Sequence, residues 1–305
     1  MKIHVQSRSG KPLGTLTLPN DADVPALKAA YAKQTPSMYV DRQRFYLPAV
    51  GGAKPVALGD RATLAAAGVA DGGTVVFKDL GPQISWKAVF VLEYLGPLLI
   101  FPAFLLGQRA IYGRVTPPGS VAAEHQVALA LAWALHYAKR EFETLCVHRF
   151  SHATMPLGNL AKNCGYYWGF AAAVAYFAMH PLYTPASDAA YISGLVTFYF
   201  MEAGNMWCHF KLRALRPAGS TVRRIPMGGP FSYVSCPNYT CEIGAWVAFN
   251  VACPTVWGWA FAACGAAQMA VWAAGKHRNY RKEFDGKDGR PLYPRSRKAL
   301  IPFIW

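Results

Sequence analysis

The chain has 305 residues, of which 53% are hydrophobic and only 15% charged, and its mean hydropathy is +0.14. Ordinary soluble domains carry about 25% charged residues, so this composition speaks against a wholly soluble protein and against a disordered one. The net charge of +15 is concentrated. Residues 209–224 hold five basic and no acidic side chains, and residues 275–305 hold nine basic and three acidic ones. Basic segments between apolar ones suit the cytoplasmic ends of membrane spans or an anionic ligand. They do not form the single basic face of a nucleic-acid binder, so no nucleic-acid partner is expected.

Residues 1–80 read as a small α+β domain. Ile3 and Val5 alternate with polar neighbours, Ser9-Gly10-Lys11 forms a turn, and Leu16 and Leu18 alternate with Thr15 and Thr17. That pattern predicts a β-hairpin. Residues 24–31 read as a helix capped by Asp21 or Asp23. Residues 42–47 and 58–67 follow, with Asp60 expected as a cap, and Gly72-Gly73-Thr74-Val75-Val76-Phe77 reads as a last strand. This order resembles a ubiquitin-like β-grasp. The chain continues past Lys78-Asp79-Leu80, which excludes a free conjugating tail. Met1-Lys2 leads into polar sequence, so no signal peptide is expected and the head is placed in the cytosol.

Composition changes near residues 80–86, and residues 81–305 read as a multi-pass α-helical membrane domain. Residues 88–108 are apolar except for Glu93, the length of one span. A weaker span covers 121–138, with Glu124 and His125. Residues 165–183 carry no charge, residues 189–208 carry only Glu202, and residues 243–274 are uncharged for 32 positions, with Pro254 near the middle. The last run predicts a hairpin broken at Cys253-Pro254. About five to seven spans follow. The seven cysteines form no CxxC pair and read as small apolar residues of a reducing compartment. No metal is expected.

Several polar groups stand where lipid would make them costly. Glu93 lies inside an apolar run, which marks a functional candidate or a structurally paired carboxylate. Residues 136–152 are dense in ionisable groups. As a helix they place Tyr137, Arg140 and Thr144 on one face and pair Lys139 with Glu143. That face is either a solvated interfacial surface or the polar wall of a cavity. His148-x3-His152 matches one di-iron box, but no second box appears and di-iron chemistry is not expected. Pro237 predicts a helix start, preceded by Ser235 or Cys236. His277, Tyr280, Arg281 and Phe284 share one stripe, and arginines there would suit phosphates.

The segments GKHRNYRKEFDG, YPRSRKALIPFIW and RIPMGGPFSYVS resemble the C-terminal half of membrane steroid 5α-reductases. Together with the ubiquitin-like head, KREFETLCVHRFSHATMP and VSCPNYTCEIGAW, they resemble the very-long-chain trans-2-enoyl-CoA reductase branch of that superfamily. The resemblance implies a multi-pass protein of the endoplasmic reticulum membrane. It would use NADPH to reduce a long- or very-long-chain trans-2-enoyl-CoA in the last step of fatty-acid elongation, beside other enzymes of that cycle. Hydride would go to C3 and a proton to C2, and the thioester carbonyl must be polarised. The family's proposed catalytic lysine and tyrosine fall on Lys139 and Tyr239. The carbonyl-binding Glu and Tyr of the steroid branch fall on Glu93 and Tyr137. Two proton relays are therefore open. The cofactor-binding positions fall on Arg140, Asn205, Arg213, Tyr233, Asn238, Glu242, His277, Tyr280 and Arg297. The alternatives are a steroid or polyprenol reductase of the same superfamily, a membrane methyltransferase with a related C-terminal architecture, and a non-enzymatic scaffold. Buried polar groups would serve no purpose in the last.

Overall fold

The structure, a computed structural model, describes residues 1–49, 51, 55–60, 62–115, 123–150, 153–217 and 222–305. The chain divides into two compact units. One is Met1–Trp86 with His152–Asn159, the other Lys87–Ser151 with Leu160–Trp305.

The first unit is built on a four-stranded sheet. The predicted hairpin forms β1 (Lys2–Ser7) and β2 (Pro12–Thr17), paired antiparallel so that Ile3 faces Leu16. Helix α1 (Val24–Gln34) follows, and the Asp23 carboxylate caps it by accepting from the Ala26 N–H at 2.8 Å. Strands β3 (Gln43–Tyr46) and β4 (Gly73–Asp79) complete the order β2-β1-β4-β3, with β1 and β4 parallel. Ile3, Val5, Leu27, Phe45, Leu64 and Val75 fill the space between sheet and helix. The Arg42 guanidinium grips both Asp79 oxygens, at 3.0 and 2.5 Å. The described part of residues 58–67 forms turns, with Thr63 in a bridge to Asp23. Asp60, expected as a cap, pairs with Lys28 at 2.6 Å. A short ribbon, β5 (Gln83–Ser85) with β6 (Thr154–Pro156), ends the unit.

The second unit is helical: α2 (Trp86–Leu106), α3 (Gln108–Tyr112), α4 (Glu124–Phe142), α5 (Gly158–Ala178), α6 (Asp188–Ala214), α7 (Pro237–Ala252) and α8 (Val256–Glu283). Helix α7 begins at Pro237, where the missing N–H costs nothing. The uncharged run breaks between Cys253 and Thr255. There the Thr255 hydroxyl accepts from the Gly258 N–H, while the Asn250 amide donates to the carbonyls of Trp246 and Gly258. Of the five to seven expected spans, one helix among the described residues, α2, is long and apolar enough to cross a membrane by itself. Helices α4, α6 and α7 carry buried polar residues, among them Gln126, His136, Lys139, Glu202, Asn205 and Asn250. The expected helix over 136–152 also ends early. Beyond Phe142 the chain widens into a π turn over Glu143–Val147, closed by the His148 N–H on the Glu143 carbonyl at 2.7 Å. His152 and the 121–122 end of the weaker span lie outside the described residues.

Aromatic packing forms the core of this unit. Phe101 stacks on Trp133 at 4.5 Å, and Trp133 meets Trp246 and Phe249 edge-on. Helices α6 and α7 pack tightly at Gly194. A Cβ there would lie 2.7 Å from the Ala252 nitrogen and 2.8 Å from the Ala248 carbonyl oxygen. Gly194→Ala is expected to destabilise the purified protein by about 1–3 kcal/mol through overpacking. Gly169→Ala, where a Cβ meets nothing within 4 Å, should be neutral or stabilise by up to about 1 kcal/mol. Thermal melts of the two variants side by side check this.

Candidate active site

The polar residues singled out in the sequence gather into neighbouring clusters of the second unit. The first is an aromatic wall. Glu93, from α2, is 1% exposed and accepts from the Asn163 side-chain amide of α5 at 2.8 Å. Beside it, Tyr94 meets Tyr137 at 6.2 Å and Tyr167 edge-on at 5.4 Å, and Tyr137 also packs against His136 and Trp246. Arg140 donates to the Tyr94 hydroxyl at 3.1 Å and lies over its ring. The Tyr137 hydroxyl is buried and finds no hydrogen-bond partner among the described residues. A buried hydroxyl without a partner is costly, and such an atom marks where a ligand's acceptor fits.

The second cluster stitches α4, α6 and α7 together. Lys139 Nζ sits 2.6 Å from Asn205 Oδ1, 2.8 Å from Glu202 Oε2 and 3.8 Å from Glu143 Oε1. Asn205 Nδ2 donates to the Asn238 carbonyl at 2.8 Å and to Glu242 Oε2 at 3.0 Å. His136 faces carboxylates on both sides, Glu202 at 2.7 Å and Glu242 at 3.4 Å. Three of the expected cofactor residues, Asn205, Asn238 and Glu242, therefore meet Lys139 in one network.

A third cluster lies at the end of α4. Glu143 Oε2 accepts from Arg140 at 2.7 Å and pairs with His209 Nδ1 at 2.9 Å, and His148 Nε2 lies 3.5 Å from the same His209 nitrogen. Glu143, His148 and His209 are spaced like metal ligands. Arg140 and Lys139 already neutralise that carboxylate and oppose a further cation, so we read the cluster as an ion-paired knot.

The fourth cluster is built by the tail. The Ser235 N–H donates to the Lys298 carbonyl, and the Lys298 N–H to the Tyr233 carbonyl, both within 2.9 Å. Ser235 Oγ meets His277 Nδ1 at 2.6 Å and the Tyr293 hydroxyl at 2.8 Å. Tyr280 stacks on Tyr293. Arg297 is 2% exposed, donates to the Pro226 carbonyl, and has no carboxylate partner among the described residues; its Nε is buried and unbonded. Burial holds the His277 imidazole below its ordinary value, and Arg281, Arg297 and Lys298 push it the same way. Burial foremost pushes the Tyr280 hydroxyl up to about 12.

The remaining expected residues lie apart from one another. Arg213 is exposed near the end of α6, and Tyr233 is about half exposed against Phe303. Tyr239 packs on Trp272 with the Lys276 ammonium 4.6 Å over its ring. Among the described residues it makes no hydrogen bond or ring contact with Lys139 or Tyr137. An open cleft of about 550 Å³, lined by residues such as His180, Tyr183 and Trp257, lies at the other end of α6–α8 and contains none of these residues. Sequence reasoning passed over Tyr94, Asn163, Tyr167, Glu202, His209, Ser235 and Tyr293 as site residues. Glu202 carried a signal, as the lone charge of an apolar run; Asn163 carried none.

Comparison with known proteins adds an independent line. The family described as 3-oxo-5-alpha-steroid 4-dehydrogenase matches residues 153–305. The chain is 46% identical over 303 residues to the very-long-chain enoyl-CoA reductase of Dictyostelium discoideum, covering 98% of each. It is 45% identical over 290 residues to a Caenorhabditis elegans protein named "Probable very-long-chain enoyl-CoA reductase art-1", covering 92% of this chain and 91% of that one. A mouse (Mus musculus) protein named "Trans-2,3-enoyl-CoA reductase-like" is 38% identical over 76% of this chain and 64% of its own length.

The tail cluster has a pH signature. The native state holds His277 neutral more firmly than the unfolded chain does. The stability this group contributes is therefore full above the ordinary imidazole value of about 6.5 and falls away as pH drops through that value toward the lower folded one. Amide exchange at Ser235 and Lys298, corrected for intrinsic rates, is expected to quicken between pH 7.5 and 5.5. It should stay level in His277→Gln.

Proposed function

The chain belongs to the family of the very-long-chain enoyl-CoA reductases, within the wider 3-oxo-5-alpha-steroid 4-dehydrogenase family, and from that membership we propose that it reduces long- and very-long-chain trans-2-enoyl-CoA to the saturated acyl-CoA with NADPH. The observation that carries the mechanism is the buried, unpartnered Tyr137 hydroxyl in its aromatic wall. Reduction across the 2,3 bond builds negative charge on the thioester oxygen, and a preorganised donor in a dry site stabilises it strongly. Tyr137 Oη is that donor. Glu93, fixed by Asn163, is the second group of the wall able to hold and move a proton.

The residues present fit NADPH. Arg297 is a buried guanidinium with no carboxylate beside it, which suits a phosphate. Exposed Arg213 and the basic tail suit further anionic groups, of the cofactor or of CoA. Asn205, Asn238 and Glu242 offer amide and carboxylate groups of the kind that bind a carboxamide. When bound, NADPH supplies the hydride that C3 receives. Arg140, His277, Tyr280 and Tyr233 complete the assigned binding set.

The same reading places the second unit in the endoplasmic reticulum membrane as a multi-pass bundle. Leu99 on α2, Leu131 and Leu135 on α4, Phe200 on α6 and Val271 on α8 are all more than half exposed, which suits lipid contact. The first unit would be a cytosolic ubiquitin-like module, in keeping with its β2-β1-β4-β3 order and single helix. Other elongation-cycle enzymes are the natural partners, because they supply the substrate.

The test is NADPH oxidation by purified protein with trans-2-hexadecenoyl-CoA, with a 3-oxo-Δ4 steroid in parallel. Oxidation with the CoA ester alone is the expected result, and oxidation with the steroid alone would replace the substrate. Tyr137→Phe is expected to lower kcat by about 10²-fold or more, and Tyr239→Phe by much less. The reverse ranking would transfer the donor role to Tyr239.

A further inference from the structure

The lysine of this site is held among acceptors. Lys139 Nζ carries three N–H bonds and no lone pair; it donates to Asn205 Oδ1 at 2.6 Å and makes ion-pair contacts with Glu202 Oε2 at 2.8 Å and, at longer range, Glu143 Oε1 at 3.8 Å. A lysine can only donate, so it selects the oxygen end of the Asn205 amide. The amino end must then face the Asn238 carbonyl and Glu242, as it does. A flipped Asn205 would set an NH2 group against an ammonium and an oxygen against two acceptors.

Glu202 keeps the lysine in that position. One of its oxygens pairs with Lys139 and the other with His136 Nδ1 at 2.7 Å. The far nitrogen of His136 faces Glu242, which also accepts from Asn205 and from the Trp246 indole. Lys139, Glu202, His136, Glu242 and Asn205 thus form a closed ring across α4, α6 and α7. Asn205 and Glu242 are residues assigned above to the cofactor.

We propose that Glu202, with His136 behind it, is a positioning residue of the cofactor side: it holds Lys139 against Asn205 and so fixes the direction in which the Asn205 amide points. The proposal rests on the NADPH reading given above. It assigns Lys139 to holding the cofactor's partner and not to donating the proton at C2.

The experiment uses full-length protein in detergent and measures NADPH affinity by tryptophan-fluorescence quenching, steady-state kinetics and thermal melting. Glu202→Gln removes the counter-charge at nearly constant size. It should raise the Kd and KM for NADPH about tenfold, the scale of a lost charged hydrogen bond. It should change kcat less than threefold and leave the KM for trans-2-hexadecenoyl-CoA unaltered. The double variant Lys139→Met with Glu202→Met removes both charges, which restores stability where charge balance is the whole cost. It leaves Asn205 unpinned, so its melting temperature should recover from that of Glu202→Gln while NADPH affinity stays low. Affinity that recovers together with melting would overturn the proposal in favour of charge balance alone. A fall in kcat with NADPH affinity intact, accompanied by an altered solvent deuterium isotope effect, would overturn it in favour of a proton path. Wild-type protein that binds NADPH but leaves the enoyl-CoA untouched would overturn the substrate reading only, and the affinity comparison would still decide this one.

Discussion

A charge taken out of water must be answered nearby, and around Lys139 that requirement organises the helical unit. Leaving an ammonium buried beside a single lost partner typically costs several kcal/mol. The chain answers it with Glu202 from α6 and the more distant Glu143 from the turn after α4. Each carboxylate then needs its own second partner, which brings in His136, Arg140 and His209. The regular helix ends at Phe142 and opens into a π turn at Glu143, where this knot sits. Such turns are common at functional positions.

The aromatic wall stands beside this network and differs from it in one respect. The network sets its charged groups against one another in ion pairs, whereas the wall leaves the Tyr137 hydroxyl without a counterpart among the described residues. One side of the site is thus fixed in orientation before any ligand arrives, and the other keeps a donor in reserve. The division follows helix geometry: His136 and Lys139, three residues apart on α4, turn toward α6 and α7, while Tyr137 turns toward Tyr94 and Tyr167.

Much of this was legible in the sequence. The hairpin, the Asp23 cap, the Pro237 start and the break after Cys253 are local events governed by turn and capping chemistry, and each leaves a local trace. Glu93, Tyr137, Lys139 and Asn205 were nameable because polar residues in apolar runs stand out or because motifs carried them. What the sequence could not give was which of them meet. Lys139 with Asn205, 66 residues apart, and Glu93 with Asn163, 70 apart, depend on helix packing that no short pattern encodes. The bridge from Thr63 to Asp23, 40 residues apart, left no trace for the same reason.

The tail cluster fixes an order of events during synthesis. Arg297 and Tyr293 follow α8 in the chain, yet they lock onto Pro226 and Ser235, which precede α7. The loop they close encloses two whole helices and must wait for both to be made and packed. The tail cluster is therefore assembled late, after the aromatic wall and the Lys139 ring already have all their parts, and a nascent chain halted before residue 293 would hold both of those while Ser235 and Pro226 still lacked their Tyr293 and Arg297 partners.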